Sequence, residues 1–319
     1  MTQIGVDITY AATLLKNGEL VAIPTETVYG LAANGLNKNA VEEIFRVKGR
    51  PSTNPLILHV AEIDQVKTLV QTLYPEAIDL ANKFWPGPIT MVFPKNKTIP
   101  YSTTGGLETV AVRIPNHPLT LDLLRLLDFP LAAPSANLSN RISPTTAKHV
   151  YNQLNTKIPY ILNGGSCSAG IESTIIGFTN KGPVVYRLGA LELSEIEKVI
   201  GKISVHPSNQ ILAPGMFKKH YSPQTPLILT DEVSTILAKN LDKKIGLILF
   251  KPSQNYTHPQ IKIKYLSTQG SLAEAARNLY STLHETDEEL LDLIVVEKLP
   301  DFELGLSIND RLSRAAHIE

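Results

Sequence analysis

The apolar residues of this chain come in short runs, each soon cut off by proline, glycine or asparagine. LVAIPT stops at Pro24, and NPLILHV, ITMVFP, VAVRIP, PLAAPSAN, YILNGG, STIIGF and VVYRLG follow. Runs of this length suit strands, and a chain built from them sets its polar residues at strand ends, where open α/β sheets bind ligands. None approaches the ~18 apolar residues of a membrane-spanning helix. Between the runs, apolar residues recur at helical spacing. The spacing predicts helices over residues 9–20, where Ala11, Ala12, Leu14 and Leu15 precede Gly18, over 39–47 with Asn37 or Asn39 as N-cap, and over most of 63–85. VAVRIP alternates strictly at Val110, Val112 and Ile114, the pattern of a half-buried strand.

The texture changes after Leu193. Residues 194–200 read as a helix, and the stretch that follows is proline-rich, basic and without periodicity. Beyond it PLILT, IGLILF and DLIVVEKL alternate with helical patterns at 233–241, 272–283 and 306–316, which predicts a small parallel α/β layer. A length of 319 residues exceeds the ~150-residue domain prior about twofold. The division expected is therefore a unit over 1–203, a linker over 204–224 and a smaller α/β/α unit over 225–319. No GxGxxG follows the first strand of the smaller unit, which argues against a dinucleotide site there.

Composition closes off other classes. With 43% hydrophobic and 19% charged residues, the chain is neither largely disordered nor a coiled coil. Lys and Arg number 17 against 16 Asp and Glu over residues 1–200, 3 against none over 201–224, and 10 against 14 over 225–319. An acidic C-terminal third does not suit an independent nucleic-acid module. The single cysteine, Cys167, excludes an intramolecular disulfide and a multi-thiolate zinc site. Among 8 histidines no pair has the spacing of HExxH, so no protein-bound catalytic metal is expected, whereas magnesium carried by a nucleotide is compatible. The first residues show no basic stretch, apolar core and cleavage site, and the expectation is cytoplasmic.

The densest polar group is KGRPSTNP. Pro51 ends any helix there, so Lys48 and Arg50 project from a loop, where they suit a polyphosphate or simply make a solvated basic turn. PTETVYGL offers Thr25, Glu26, Thr27 and Tyr29, and PSANLSN offers Ser135, Asn137 and Ser139; both could hold a ligand or cap a turn. No G-x-S-x-G surrounds Ser135, which speaks against a hydrolase nucleophile. Arg113 lies within VAVRIP on the opposite face from Val112 and needs a partner, either a ligand carboxylate or a protein Asp or Glu. His59 is open to the same two readings. GIESTIIGF and VYRLGAL add Glu172, Ser173, Thr174 and Arg187.

Taken in order, PTETVYGL, KGRPSTNPLILHV, KFWPGPIT, VAVRIP, PSANLSN and GIESTI resemble the YrdC-like domain of threonylcarbamoyl-AMP synthases. APGMFKKHYSP and the terminal GLSINDRLSRAA resemble the long two-domain form of that family. The resemblance implies a twisted mixed sheet flanked by helices, followed by a Rossmann-like α/β/α domain. It implies the synthesis of threonylcarbamoyl-AMP and pyrophosphate from L-threonine, bicarbonate and ATP with Mg2+. The product would pass to a threonylcarbamoyl transferase acting on tRNA beside the anticodon, with tRNA itself a further candidate partner. Carried over by position, Thr27, His59, Arg113, Ala133 and Ser173 resemble the threonine contacts, Ala133 through backbone only. Lys48, Arg50, Asn54, Thr109, Ser135, Ser143 and Arg187 resemble the ATP set, with Asn137 beside them. Tyr221 resembles a tyrosine that folds over the nucleotide, which would make 210–224 a lid. The linker departs from the family pattern SPGMKYRHYAP at Ala213, Phe217, Lys218, Lys219 and Ser222. Two alternatives differ in class: an RNA-binding module with a basic concavity, which net charge disfavours, and a hydrogenase-maturation carbamoyltransferase, whose cysteine-rich zinc module one Cys cannot supply.

Overall fold

A computed structural model of the chain describes residues 1–180, 182–206, 220–252, 256 and 259–316. The short apolar runs form the strands of one large mixed sheet: β1 Gln3–Gly5, β2 Val21–Ile23, β3 Gly30–Asn34, β4 Ile57–His59, β5 Ile89–Pro94, β6 Thr109–Arg113, β7 Leu131–Ala132, β8 Tyr160–Leu162, β9 Thr174–Thr179, β10 Gly182–Arg187 and β11 Ser204–Val205. Their order across the sheet is β1-β8-β2-β3-β7-β4-β6-β5-β9-β10-β11. Two registers position the site. β4 and β6 run parallel with His59 opposite Arg113, and β5 and β9 run parallel with Ile89 opposite Thr174, so Ser173 arrives at the end of the same sheet. An antiparallel bridge from Gly30 to Ser135 brings the PTETVYGL and PSANLSN turns together.

The alternation in VAVRIP suggested a half-buried strand, yet Val110 through Arg113 are all buried. β6 is central: Val110 and Val112 pack in the main core, while Ala111 meets Ile57, Val92 and Ile175 on the other face. The helix expected over 63–85 is two, Ile63–Leu69 and Pro75–Phe84. Pro75 disfavours helical backbone at Tyr74 and opens the second helix instead. Helices Tyr101–Thr104, Pro118–Arg125 and Ala147–Leu154 were not among those expected. The helix Lys38–Lys48 is capped by Asn37, whose side chain accepts from the backbone N–H groups of Asn39 and Ala40.

Among its described residues the second unit has four strands, all parallel, β12 Leu227–Thr230, β13 Ile245–Leu249, β14 Ile261–Tyr265 and β15 Leu293–Glu297, in the order β12-β15-β13-β14. The sequence runs had indicated only β12, β13 and β15. β14, IKIKY, is an edge strand that exposes Lys262, half-buries Lys264 and lacks a continuous apolar run. Helices Leu272–Asp287 and Leu304–Ala315 face the first unit. One apolar cluster draws Val28, Ile142 and Ile171 from the first unit together with Leu279, Tyr280, Ile308 and Leu312 from the second, so the two share a core. Ser204–Val205, at the start of the expected linker, pairs with β10 and extends the first sheet. Of the expected lid, residues 210–219 lie outside the described residues, as do Ala213, Phe217, Lys218 and Lys219; residues 220–224 are described.

Candidate active site

Strand ends from β4, β6 and β10, with the turns before β3 and β9, wall a cavity of about 60 Å³. The cavity brings together Thr27, His59, Arg113, Ala133 and Ser173 with Arg50, Ser135, Arg187 and Tyr221. Four further candidates stand outside its lining. Lys48 lies behind it, and its ammonium donates to the carbonyl of Ser135 at 2.6 Å and to that of Asn137. Asn54 is buried with its amide oxygen unpartnered, and Ser143 is buried on Glu172. Thr109 sits at the start of β6, paired with Pro94 and therefore at the opposite end of that strand from Arg113.

The charges in this pocket are unevenly matched. Arg50 donates to the carbonyls of Asn54 at 3.4 Å and Pro55 at 3.1 Å. Among the described residues neither Lys48 nor Arg50 forms an ion pair, and both are buried. Burial foremost, with Arg50 alongside, holds the Lys48 ammonium well below its ordinary pKa. Buried cations satisfied only by neutral carbonyls create a field that an anion would relieve. Gly49, with φ of 61° at the C-cap of Lys38–Lys48, turns the chain between them. Left-handed backbone there is what glycine tolerates best.

Arg113 has the protein carboxylate that its position called for. Its Nη2 lies 2.7 Å from Glu26 Oε1, both side chains almost fully buried. The pair is close but not aligned, since Arg113 Nη2 and both Glu26 oxygens lack a hydrogen-bond partner. Other guanidinium groups donate properly, Nη1 to Thr27 Oγ1 at 2.9 Å and Nε to the Gly87 carbonyl at 3.2 Å. Thr27 in turn lies 2.9 Å from Thr25 Oγ1. His59 donates from Nδ1 to the Ile57 carbonyl at 3.2 Å, because a carbonyl can only accept. Burial foremost, with Arg113 beside it, pushes the His59 pKa down to about 3, so the ring is neutral near pH 7. Ser173 meets Thr90 at 2.8 Å across the β5–β9 pair and accepts at its carbonyl from Arg187 Nε and Nη2 at 3.2 and 3.0 Å.

Glu172, which sequence reading named without a role, completes the wall. Glu172 accepts from Ser143 Oγ at 2.7 Å and from the hydroxyl of Tyr280 at 2.9 Å, and it pairs with Arg311 at 3.3 Å. Burial alone would raise its pKa, but Arg311, Arg187 and the Ser143 hydroxyl outweigh it and hold the carboxyl below its ordinary value. Tyr280 and Arg311 come from the second unit, more than 100 residues away, so no local motif could have signalled them. Tyr221, expected above the nucleotide, lines the cavity beside His220 and also belongs to the shared core, stacked on Tyr280 with 5.6 Å between ring centroids. Its φ of 65° is unusual for a side chain of this size. Among the described residues no group of three or more His, Cys, Asp and Glu stands together as a metal site.

Both parts of the chain match known family models. Residues 13–189 match a family model described as "Telomere recombination", and residues 191–317 match one described as "Threonylcarbamoyl-AMP synthase, C-terminal domain". The chain is 42% identical to the threonylcarbamoyl-AMP synthase of Pyrococcus abyssi, covering 97% of this chain and 94% of that one. It is 39% identical to that of Bacillus subtilis, covering 97% and 92%. The crystal structure of P. abyssi Sua5 complexed with L-threonine superposes with a TM-score of 0.91 at 41% identity, over 99% of this chain and 97% of the other.

Proposed function

This chain belongs to the threonylcarbamoyl-AMP synthase family in its two-domain form, and from that premise we propose how its residues divide the reaction. L-Threonine, bicarbonate and ATP give threonylcarbamoyl-AMP, pyrophosphate and water, the first step toward threonylcarbamoyladenosine in tRNA. Thr27, His59, Arg113 and Ser173 take threonine, with Arg113 facing its carboxylate and Ala133 contributing backbone. Lys48, Arg50, Ser135 and Arg187 take the phosphates, supported by Asn54 and Ser143; Thr109 stays in the set on family position alone. ATP enters as its magnesium complex. Tyr221 and His220 close over it, and because about 60 Å³ holds far less than a nucleotide pocket of roughly 300 Å³ or more, both must yield on binding.

The threonine amine attacks carbon dioxide released from bicarbonate, forming a C–N bond and, on loss of a proton, a carbamate. A carbamate oxygen then attacks the α-phosphorus, and the bond to the bridging oxygen of pyrophosphate breaks. Two anions must meet and negative charge must pass to the leaving group, so positioning and fixed cations supply most of the rate. Neutral His59 adds no positive charge beside the amine. The product would be consumed by a transferase acting on tRNA, a reaction of the cytoplasm. With equal numbers of basic and acidic residues in the chain, delivery through a partner is favoured over broad tRNA binding.

The observation that carries this reading is the single cavity on which Arg50 and Arg187 meet Thr27, His59, Arg113 and Ser173. Pyrophosphate release from ATP and magnesium should require both threonine and bicarbonate. Release with neither would mark an ordinary nucleotide hydrolase, and no release under any condition would favour an RNA-binding module.

A further inference from the structure

We infer that Arg311, on the helix Leu304–Ala315 of the second unit, is a positioning residue of the nucleotide site: it holds Glu172 so that Arg187 and Ser143 keep their places beside the phosphates. The inference rests on the ATP assignment above and goes beyond it by making the second unit part of the site.

Arg311 is only 1% exposed and is among the largest fully buried side chains. It does not line the cavity. An apolar side chain of similar volume would pack this interface at lower cost, because a buried pair must repay the desolvation of both charges. The charge therefore has a use that packing does not explain. Its Nε reaches Glu172 Oε2 at 3.3 Å across the boundary between units, while Nη1 donates to the Ser307 carbonyl and to Asp310, each at 3.3 Å. Asp310 is shared with Arg314, which donates to it at 3.0 Å. Arg311 Nη2 is buried without a hydrogen-bond partner, and the guanidinium carbon lies 5.9 Å from the centre of the Tyr221 ring.

Glu172 is the hinge of the argument. It lines the cavity and has two guanidinium groups acting on it, Arg311 and Arg187. Arg311 pairs with it, and Arg187 directs Nε and Nη2 at the carbonyl of Ser173. Without Arg311 the carboxylate would be left under-compensated in a buried place, and the nearest remedy is to draw Arg187 off Ser173. The same shift would loosen Ser143, whose hydroxyl is directed by Glu172. Losses should then fall chiefly on ATP; threonine keeps its proposed cation, Arg113, which has Glu26 of its own, and is touched only through the looser Ser173.

The test is calorimetry of magnesium-ATP and of threonine on the full chain. Arg311→Met should weaken ATP binding about tenfold and threonine binding by less than about twofold. Adding Glu172→Gln to Arg311→Met should recover most of the loss, since the unpaired charge is then gone. A purely structural Arg311 would weaken both ligands together, and the double variant would be no better than the single one; either result, or unchanged ATP binding, overturns the inference. Should Arg311→Met fail to fold, Tyr280→Phe removes one hydrogen bond from Glu172 and keeps the ring. It should weaken ATP alone by a few-fold, and unchanged binding would count against the proposal. Wild-type pyrophosphate release is measured alongside. Its failure would sink the proposed reaction, while the ATP titrations still judge Arg311.

Discussion

Arg113 shows how much one buried side chain is asked to do. It balances Glu26, anchors Thr27 and, in the proposed reaction, meets the carboxylate of threonine. The unaligned Nη2 is the natural place for a ligand oxygen, because an ion pair at 2.7 Å without hydrogen-bond geometry leaves that N–H available. Arg113→Ala should therefore weaken threonine binding about thirtyfold, the equivalent of about 2 kcal/mol, while ATP binding changes little. It should also destabilise the fold by about 3 kcal/mol, since Glu26 is left buried and unpaired. The two effects separate in the double variant: adding Glu26→Gln should restore most of the melting temperature and none of the threonine affinity. Calorimetry and thermal melts on the same preparations read both, and equal losses for the two ligands would contradict the assignment.

At the scale of elements, the helix Lys38–Lys48 and its left-handed cap set Arg50 on the cavity wall and Lys48 behind it. A Cβ at Gly49 would meet nothing within 4 Å, so the cost of Gly49→Ala is conformational alone, about 1 kcal/mol. The cap would relax by shifting Lys48 and Arg50, and ATP binding should weaken several-fold with little loss of Tm. A large fall in Tm with unchanged ATP binding would make the cap purely structural. This element was legible beforehand: Asn37 as cap, the helical period and KGRP as a helix stop are all local signals. The strand ends were legible for the same reason, as Pro24, the PSAN turn and the GIES turn punctuate apolar runs. What was not legible depends on neighbours distant in sequence. VAVRIP carries an alternating pattern but lies mid-sheet, so both faces are buried. IKIKY alternates Ile and Tyr with Lys, a period-two signal that a search for continuous apolar runs passes over. Arg113 displayed a need for a partner, but only the fold decides that Glu26 meets it. Arg311 and Tyr280 had no readable role at all, because Glu172 reaches them only when the two units close.

For the molecule as a whole, that closure predicts cooperativity and a particular response to acid. Val28, Ile142 and Ile171 share a core with the second unit, and Thr145 with Ser281, Asn152 with Glu288 and Ser307 with the Gly189 carbonyl bond across the boundary at 3.0, 2.9 and 2.9 Å. Thermal unfolding should accordingly be one transition in which both units melt together. At the same boundary His149 stacks on His284, ring centroids 4.1 Å apart. Burial foremost, then His284 and Lys148, pushes the His149 pKa down to about 3. Burial also lowers His284, against the pull of the Ser143 carbonyl, Glu288 and Asp287. His59 and His220 are depressed as well, again chiefly by burial. A histidine whose folded pKa lies below its unfolded value of about 6.5 takes up a proton more readily when unfolded, so its contribution is complete above pH 6.5 and declines as pH falls toward 3. Each fully buried ring can cost up to about 1.4 kcal/mol per pH unit in that window, with the partly buried His284 contributing less because solvent screens it. Against a total stability of roughly 5–15 kcal/mol, several such rings remove a sizeable share of it before the carboxylates titrate. Tm should therefore fall steeply between pH 6.5 and 5. His149→Phe keeps the stacked ring and removes its titration, but it also leaves the buried Thr145 N–H without the Nδ1 that accepts from it at 3.3 Å, so its Tm should start lower at pH 7.5 and fall less steeply over the same range. Melting curves that shift with pH in parallel for the two proteins would show that the histidine stack does not govern how the units stay closed in acid.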